Sequence, residues 1–209
     1  MQLRGLCLRG SGVQKQTSSQ GAQVSRHVVL FEGTKINAEH GTPTPKEIAV
    51  SLGRLVRFCG NGSIWFCVLL HTFVVCDLVS DRLKIYALLH DAAECTSGDL
   101  PTPFKTADVS YREHKVFDRI CKAAGLPKLS SEDYFLLKAA DRRAPLGEVH
   151  TSGSVGLRTE FPRDLEVEKL TRHYMRRFPP LECIRPNGAA AKEFLKRYKD
   201  YLGLAKESK

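Results

Sequence analysis

The residues from Ile64 to Val79 restrict the folds open to this chain more than any other stretch. They form its most hydrophobic run, yet the run is shorter than the ~18 apolar residues of a membrane-spanning helix, and His71 and Asp77 interrupt it. A helix that is apolar on most sides must be buried on most sides, so the run predicts a central helix with others packed around it. The flanking sequence supplies them. Thr44-Pro45-Lys46-Glu47 carries an N-cap residue, a proline at the first helical position and a capping box, and Ile48, Leu52, Leu55 and Cys59 follow at helical spacing as far as Gly60-Asn61-Gly62. Asp81 is expected to cap a third helix, with Ile85, Leu88, Leu89 and Ala92 on its inner side. A fourth is expected from about Asp108 to Ala124 with Gly125 as its left-handed stop, and a fifth from Ser130-Ser131 that Pro145 should kink or end. Residues 150–162 read as a loop. Arg163 to Phe178 reads as a charged amphipathic helix stopped by Pro179-Pro180, and Asn187 as the cap of a last helix with Phe194, Leu195, Tyr198 and Leu202 inward. Residues 28–43 suggest only a short extended segment and a loop. The fold class is therefore all-α: a single helical bundle over residues 28–209, preceded by a flexible extension, residues 1–27, rich in Gly, Ser, Gln and basic residues.

Charge and cysteine usage narrow the function classes. A net charge of +9 suits an anionic partner, but there is no zinc-finger spacing, basic heptad or aromatic-interleaved basic repeat, so no stable nucleic-acid partner is expected. The seven cysteines are odd in number, form no CxxC and lie partly in apolar runs, which reads as reduced thiols in a cytoplasmic setting. The leucines at positions 3, 6 and 8 are too few and too interrupted by Arg4 and Arg9 for a signal-peptide core, and no membrane association is expected.

The chemistry concentrates between Ala87 and Lys105. An apolar run delivers His90-Asp91; Glu94 lies four residues after His90, on the same side of a helix, and Asp91 about 100° further round. Titratable groups placed directly after Leu88-Leu89 are costly to bury unless paired or bound to a metal. His71 on the central helix and Asp141 on the fifth complete a set of two imidazoles and two carboxylates. Taken singly, each reads as a satisfied core histidine or a solvated helix residue; taken together they suit a borderline divalent ion, and no cysteine has ligand spacing to them.

The order His71 … His90-Asp91 … Asp141 resembles the HD-domain metal-dependent phosphohydrolases. Within that superfamily, His-Asp-Ala-Ala-Glu-x-x-x-Gly-Asp-Leu-Pro-Thr-Pro-x-Lys, from His90 to Lys105, is similar to the loop of the 5′-deoxynucleotidase branch, as is Arg57-Phe58-Cys59-Gly60. The segment from Thr44 to Gly60 and the run Ala140-Asp141-Arg142-Arg143 look closest to phage-encoded members, among them enzymes that strip triphosphate from dATP. The resemblance covers roughly residues 28 to 150. It implies that His71, His90, Asp91 and Asp141 are metal ligands for Zn, Co or Mn, with additional Mg carried by the nucleotide. It implies further that Glu94 and Asp99 position the attacking water and protonate the leaving group, and that Arg57 and Lys105 lie near the phosphate. A homo-oligomer, dimer or hexamer, is also implied, in the host cytoplasm if the protein is phage-encoded. Two positions depart from the pattern. Leu70 stands where relatives commonly carry Glu or Gln, so His71 is expected to lack a usual orienting partner, and Asn61 stands where relatives often have His.

The chemistry has a physical logic of its own. A divalent ion lowers the pKa of bound water from about 15.7 to about 7 and polarises a phosphoryl oxygen, a nearby carboxylate pair can serve as base and acid, and an arginine fork fits phosphate. Phe58 and Pro103 offer a flat apolar wall for a nucleobase, although Phe58 reads equally as core packing and Trp65 better so. The favoured expectation is a dATP triphosphohydrolase, releasing deoxyadenosine and triphosphate. The runner-up is a 5′-deoxynucleotidase acting on deoxynucleoside monophosphates. Two non-catalytic readings stay open: a basic nucleic-acid-binding module, with affinity that falls steeply with salt, and a regulatory protein that holds metal and nucleotide without turnover.

Overall fold

A computed structural model describes residues 27–153 and 155–207. The expected N-terminal extension, residues 1–27, lies outside them apart from His27. The described chain is all-α. Its elements run β1 (Val28–Val29), β2 (Lys35–Ile36), α1 (Pro45–Leu52), α2 (Val68–Asp77), α3 (Lys84–Leu89), α4 (Glu94–Ser97), α5 (Ala107–Ala123), α6 (Ser131–Ser152), α7 (Val155–Glu160), α8 (Leu165–Arg177), α9 (Pro180–Ile184) and α10 (Ala189–Glu207). β1 and β2 form a small antiparallel pair in which Val28 faces Ile36. Among the described residues, no helix is long and apolar enough to cross a membrane.

The centre is α2, where every residue from Val68 to Cys76 is buried. Around it pack α3, α6 and α8, while α10 closes the far side against α1 and α3. The start of α1 follows its sequence: the Thr44 hydroxyl accepts from the Glu47 N–H at 3.1 Å, and the Glu47 carboxylate accepts from the Thr44 N–H at 2.9 Å. The same carboxylate accepts from the backbone of Glu32 and Thr34, which ties the loop after β1 to the helix.

Several expected boundaries move. The first helix stops at Leu52, well short of Gly60, because Gly53 lies against the Cys183 carbonyl and the chain then reverses to pair Val56 with Cys67. Arg57 therefore does not close a helix; it opens a 3₁₀ turn, Arg57–Gly60, in which Phe58 (φ 58°) and Cys59 (φ 53°) are both left-handed. Two consecutive non-glycine residues in that region carry steric strain. The second helix begins at Val68, since Ile64 is exposed and the bridge to Val56 occupies Cys67. Asp81 is not the cap of the third helix: Ser80 precedes a 3₁₀ turn, Asp81–Leu83, and Asp81 pairs with Lys84 at 2.7 Å. The fourth helix and its left-handed Gly125 are as expected.

Pro145 neither ends nor breaks the fifth helix, and α6 runs on to Ser152. Gly147, two residues after Pro145, packs so closely on α8 that a Cβ there would stand 2.4 Å from the Glu168 nitrogen. That contact holds the second half of α6 in place despite the lost backbone donor. Of the expected loop over 150–162, the first residues belong to α6 and Val155–Glu160 form α7. Asp164 caps α8 by accepting from the Glu166 and Val167 N–H groups, and the start of α10 is held by Glu182, whose carboxylate accepts from the Ala189 N–H at 2.7 Å.

Candidate metal centre

Three elements meet at one point. His71 comes from α2, His90 and Asp91 from the turn after α3, and Asp141 from α6. In that turn the backbone bonds tighten from i→i−4 to i→i−3: Ala92 N–H to Leu89, Glu94 N–H to Asp91 and Cys95 N–H to Ala92. The tightening lets sequence neighbours converge. His90 Nε2 lies 3.1 Å from Asp91 Oδ2 and 3.5 Å from Asp141 Oδ1. His71 Nε2 lies 3.3 Å from Asp141 Oδ1 and 3.5 Å from Asp91 Oδ2, and the two Nε2 atoms are 3.3 Å apart. His71, His90 and Asp141 are thus grouped tightly enough to hold a metal ion, and Asp91 Oδ2 lies against the two imidazoles.

The tautomers follow from the second nitrogen of each ring. His90 Nδ1 lies 2.7 Å from the Ala87 carbonyl, which can only accept, so Nδ1 carries the proton. His71 Nδ1 lies 2.6 Å from Glu148 Oε1, a carboxylate, and is a donor too. Each Nε2 is then left with a lone pair or an extra proton, facing the other and two carboxylate oxygens. Only positive charge satisfies that point. Burial opposes protonation of His90, but Asp91 and Asp141 outweigh it and hold the imidazole up at about 10. Burial and Arg57 likewise oppose charge on His71, yet Glu148 and Asp141 raise it. Burial would raise Asp91 and Asp141, but the imidazoles hold both well below the usual carboxylate range. Asp91 Oδ2 is buried and accepts no hydrogen bond, although it is aimed at both imidazoles. A cation between these four atoms removes the conflict, and the mixed N/O donor set fits a borderline divalent ion.

Of the remaining expected site residues, Glu94, Asp99, Arg57 and Lys105 each interact electrostatically with Asp91. Glu94 is buried, one oxygen has no hydrogen-bond partner, and burial together with Asp91 and Asp99 pushes its carboxyl up to about 10. Lys105 Nζ stands 3.9 Å from Glu94 and 2.6 Å from Glu113. Arg57 spreads between Asp99 at 3.5 Å and Glu148 at 3.4 Å, with its buried Nε unpartnered. Burial raises Asp99, and Arg57 opposes the shift. Phe58 is half-buried with the Arg57 guanidinium 5.7 Å from its ring centre, and Pro103 is exposed. A cleft of about 220 Å³ opens beside His90 and Asp91, between Glu94, Lys105, Glu113 and Lys138; neither Phe58 nor Pro103 lines it.

No family model matches the chain. A segment of 87 residues is 36% identical to the uncharacterised protein YfdR of Escherichia coli (strain K12), covering 41% of this chain and 49% of that protein. The match thus takes in about half the length of that relative.

Two residues that sequence reasoning passed over belong to the centre. Lys138, one turn before Asp141, holds its second oxygen at 2.8 Å. Glu148, fully buried two turns after Asp141, orients His71, so the partner expected to be missing at position 70 is supplied by another helix. The signal was a lone carboxylate between Gly147 and Val149, on the same helical face as Asp141. Glu148→Gln should keep the fold but weaken metal affinity about 10- to 100-fold, as loss of a carboxylate behind a ligating histidine does. Competition against a chelator of known affinity measures this; unchanged affinity would remove Glu148 from the centre.

Proposed function

We propose that the protein is a metal-dependent phosphohydrolase of deoxynucleotides of the HD-domain kind, with dATP as substrate and deoxyadenosine and triphosphate as products. The observation that carries the hydrolase reading is the convergence of two oriented imidazoles and two carboxylates beside a cleft that also holds a buried Glu94 with one oxygen unpartnered. A divalent ion at this point supplies Lewis-acid polarisation of a phosphoryl oxygen and acidifies water. The chain's own residues do the rest. Glu94, whose carboxyl burial, Asp91 and Asp99 push up to about 10 in the ion-free site, would give up that proton beside a divalent cation and, as a carboxylate, take one from the attacking water. Asp99, 3.5 Å from Arg57 and pushed up by burial, is the second acid, which would protonate the leaving group. Lys105 and Lys138 set positive charge on the walls of the cleft, where a phosphate would lie.

The substrate assignment is supported by the resemblance of the stretch from His90 to Lys105 to deoxynucleotide hydrolases and by the basic balance of the chain. Its test is a panel of dNTPs and dNMPs, each incubated with protein loaded with Zn, Co or Mn, with products separated as phosphate, pyrophosphate and triphosphate. Triphosphate released from dATP well ahead of dGTP is the expected result. Turnover of the dNMPs with dNTPs untouched would replace it with the 5′-deoxynucleotidase reading, and no turnover with any metal would overturn the hydrolase reading.

A further inference from the structure

The cleft beside the metal centre does not end at α6. His114, Phe117 and Tyr134 line it and also line a larger cavity of about 740 Å³ between α5, the loop after Gly125 and the start of α6. The back of this chamber is apolar: Tyr86, Cys121, Leu126 and Leu129. The Tyr86 hydroxyl donates to the Pro127 carbonyl at 2.7 Å, which pins the loop and leaves the ring to the cavity.

We propose that this chamber seats the nucleobase of the substrate whose phosphate lies in the cleft, with Phe117 and Tyr134 as the faces that select it, in place of a wall made by Phe58 and Pro103. The inference rests on the deoxynucleotide reading above and adds to it the site of base recognition. Size is the first argument. Sites for small organic ligands run to about 300–1,000 Å³, so the 220 Å³ cleft is too small for a whole nucleotide, whereas the adjoining 740 Å³ chamber falls within the range. Chemistry is the second. The cleft carries the charged groups Glu94, Lys105, Glu113 and Lys138, which suit a phosphate and its metal, while the chamber offers apolar walls and polar groups at Ser130 and Lys128 for the edge of a heterocycle. Position is the third. Phe117 and Tyr134 line both spaces, where the sugar that joins base to phosphate would cross, and Tyr134 keeps 44% of its surface exposed. Phe58, by contrast, lines neither space and has the Arg57 guanidinium over its ring.

The test compares kcat/KM for dATP with kcat/KM for 2-deoxyribose 5-triphosphate, which has the triphosphate and sugar but no base, using the metal-loaded full chain. Phe117→Ala and Tyr134→Ala should lower the ratio of the two about 10- to 100-fold, the loss expected for one stacked ring. Phe117→Leu, which keeps the bulk without the aromatic face, should do the same and guards against a folding defect. Leu129→Trp, which fills the chamber from behind, should lower the ratio as well. A ratio that holds in all four variants would overturn the inference. If the wild type hydrolyses neither substrate, the hydrolase reading has failed. The chamber is then tested by equilibrium dialysis with deoxyadenosine: binding that Leu129→Trp removes supports it, and no binding, or binding that Leu129→Trp leaves intact, overturns it.

Discussion

Asp91→Ala is expected to leave a folded protein that keeps no metal ion and turns over no phosphoester. Both imidazoles approach Asp91 Oδ2, at 3.1 and 3.5 Å, as they do Asp141 Oδ1, and Asp91 Oδ2 is buried with no hydrogen-bond donor of its own. Removing it leaves His71, His90 and Asp141, a set with one fewer negative charge around the same point. Loss of a direct ligand should exceed the ~10- to 100-fold cost of losing a residue behind one. Metal content by elemental analysis and turnover measured on the same preparation should fall together, while the helical circular dichroism signal persists. Full activity in exhaustively chelated wild-type protein would refute the assignment of a metal to these residues.

Glu94→Ala should separate chemistry from metal binding. The side chain lies beside the ligands without belonging to their closest set, and its carboxyl is pushed up to about 10 by burial and by Asp91 and Asp99. An acid held protonated in a buried cleft, with one oxygen unpartnered, is suited to passing a proton. Its removal should keep the metal and cost about 10²–10⁴ in kcat, the usual worth of general acid–base help. Glu94→Gln keeps the shape and cannot shuttle the proton, so it should lose as much. Recovery of rate in Glu94→Gln would make the residue a positioning group, and metal loss in Glu94→Ala would make it a ligand.

Much of the bundle can be read from the chain, because the apolar run at 64–79 leaves one place for its helix and the capping box at Thr44–Glu47 needs no tertiary contact to form. The boundaries that moved were set by distant partners. Nothing near Gly53 in sequence shows that it will meet the Cys183 carbonyl, and nothing near Pro145 shows that Gly147 will be clasped by α8. His71, His90 and Asp141 come together, with Asp91 against the two imidazoles, because His90-Asp91 and the single polar breaks on two apolar helix faces are strong local signals. The orientation of His71 was not legible, since its partner Glu148 is 77 residues away and is recognised only when α2 and α6 pack. The expected wall of Phe58 and Pro103 rested on their flat apolar surfaces, and neither residue lines the cleft.

α6 acts as a ruler. Tyr134, Lys138, Asp141 and Glu148 all project from it toward the centre or its cleft, spaced by whole helical turns. Each residue added to a helix rotates everything after it by about 100°. Length changes in the loops around the bundle can be absorbed locally, but one residue inserted between Asp141 and Glu148 would swing Glu148 out of line with His71 while leaving Asp141 in place. Three or four residues, nearly a full turn, would restore the direction and displace it along the axis by about 5 Å. The phase of this helix, more than the identity of most residues on its outer face, keeps these side chains aimed at one place.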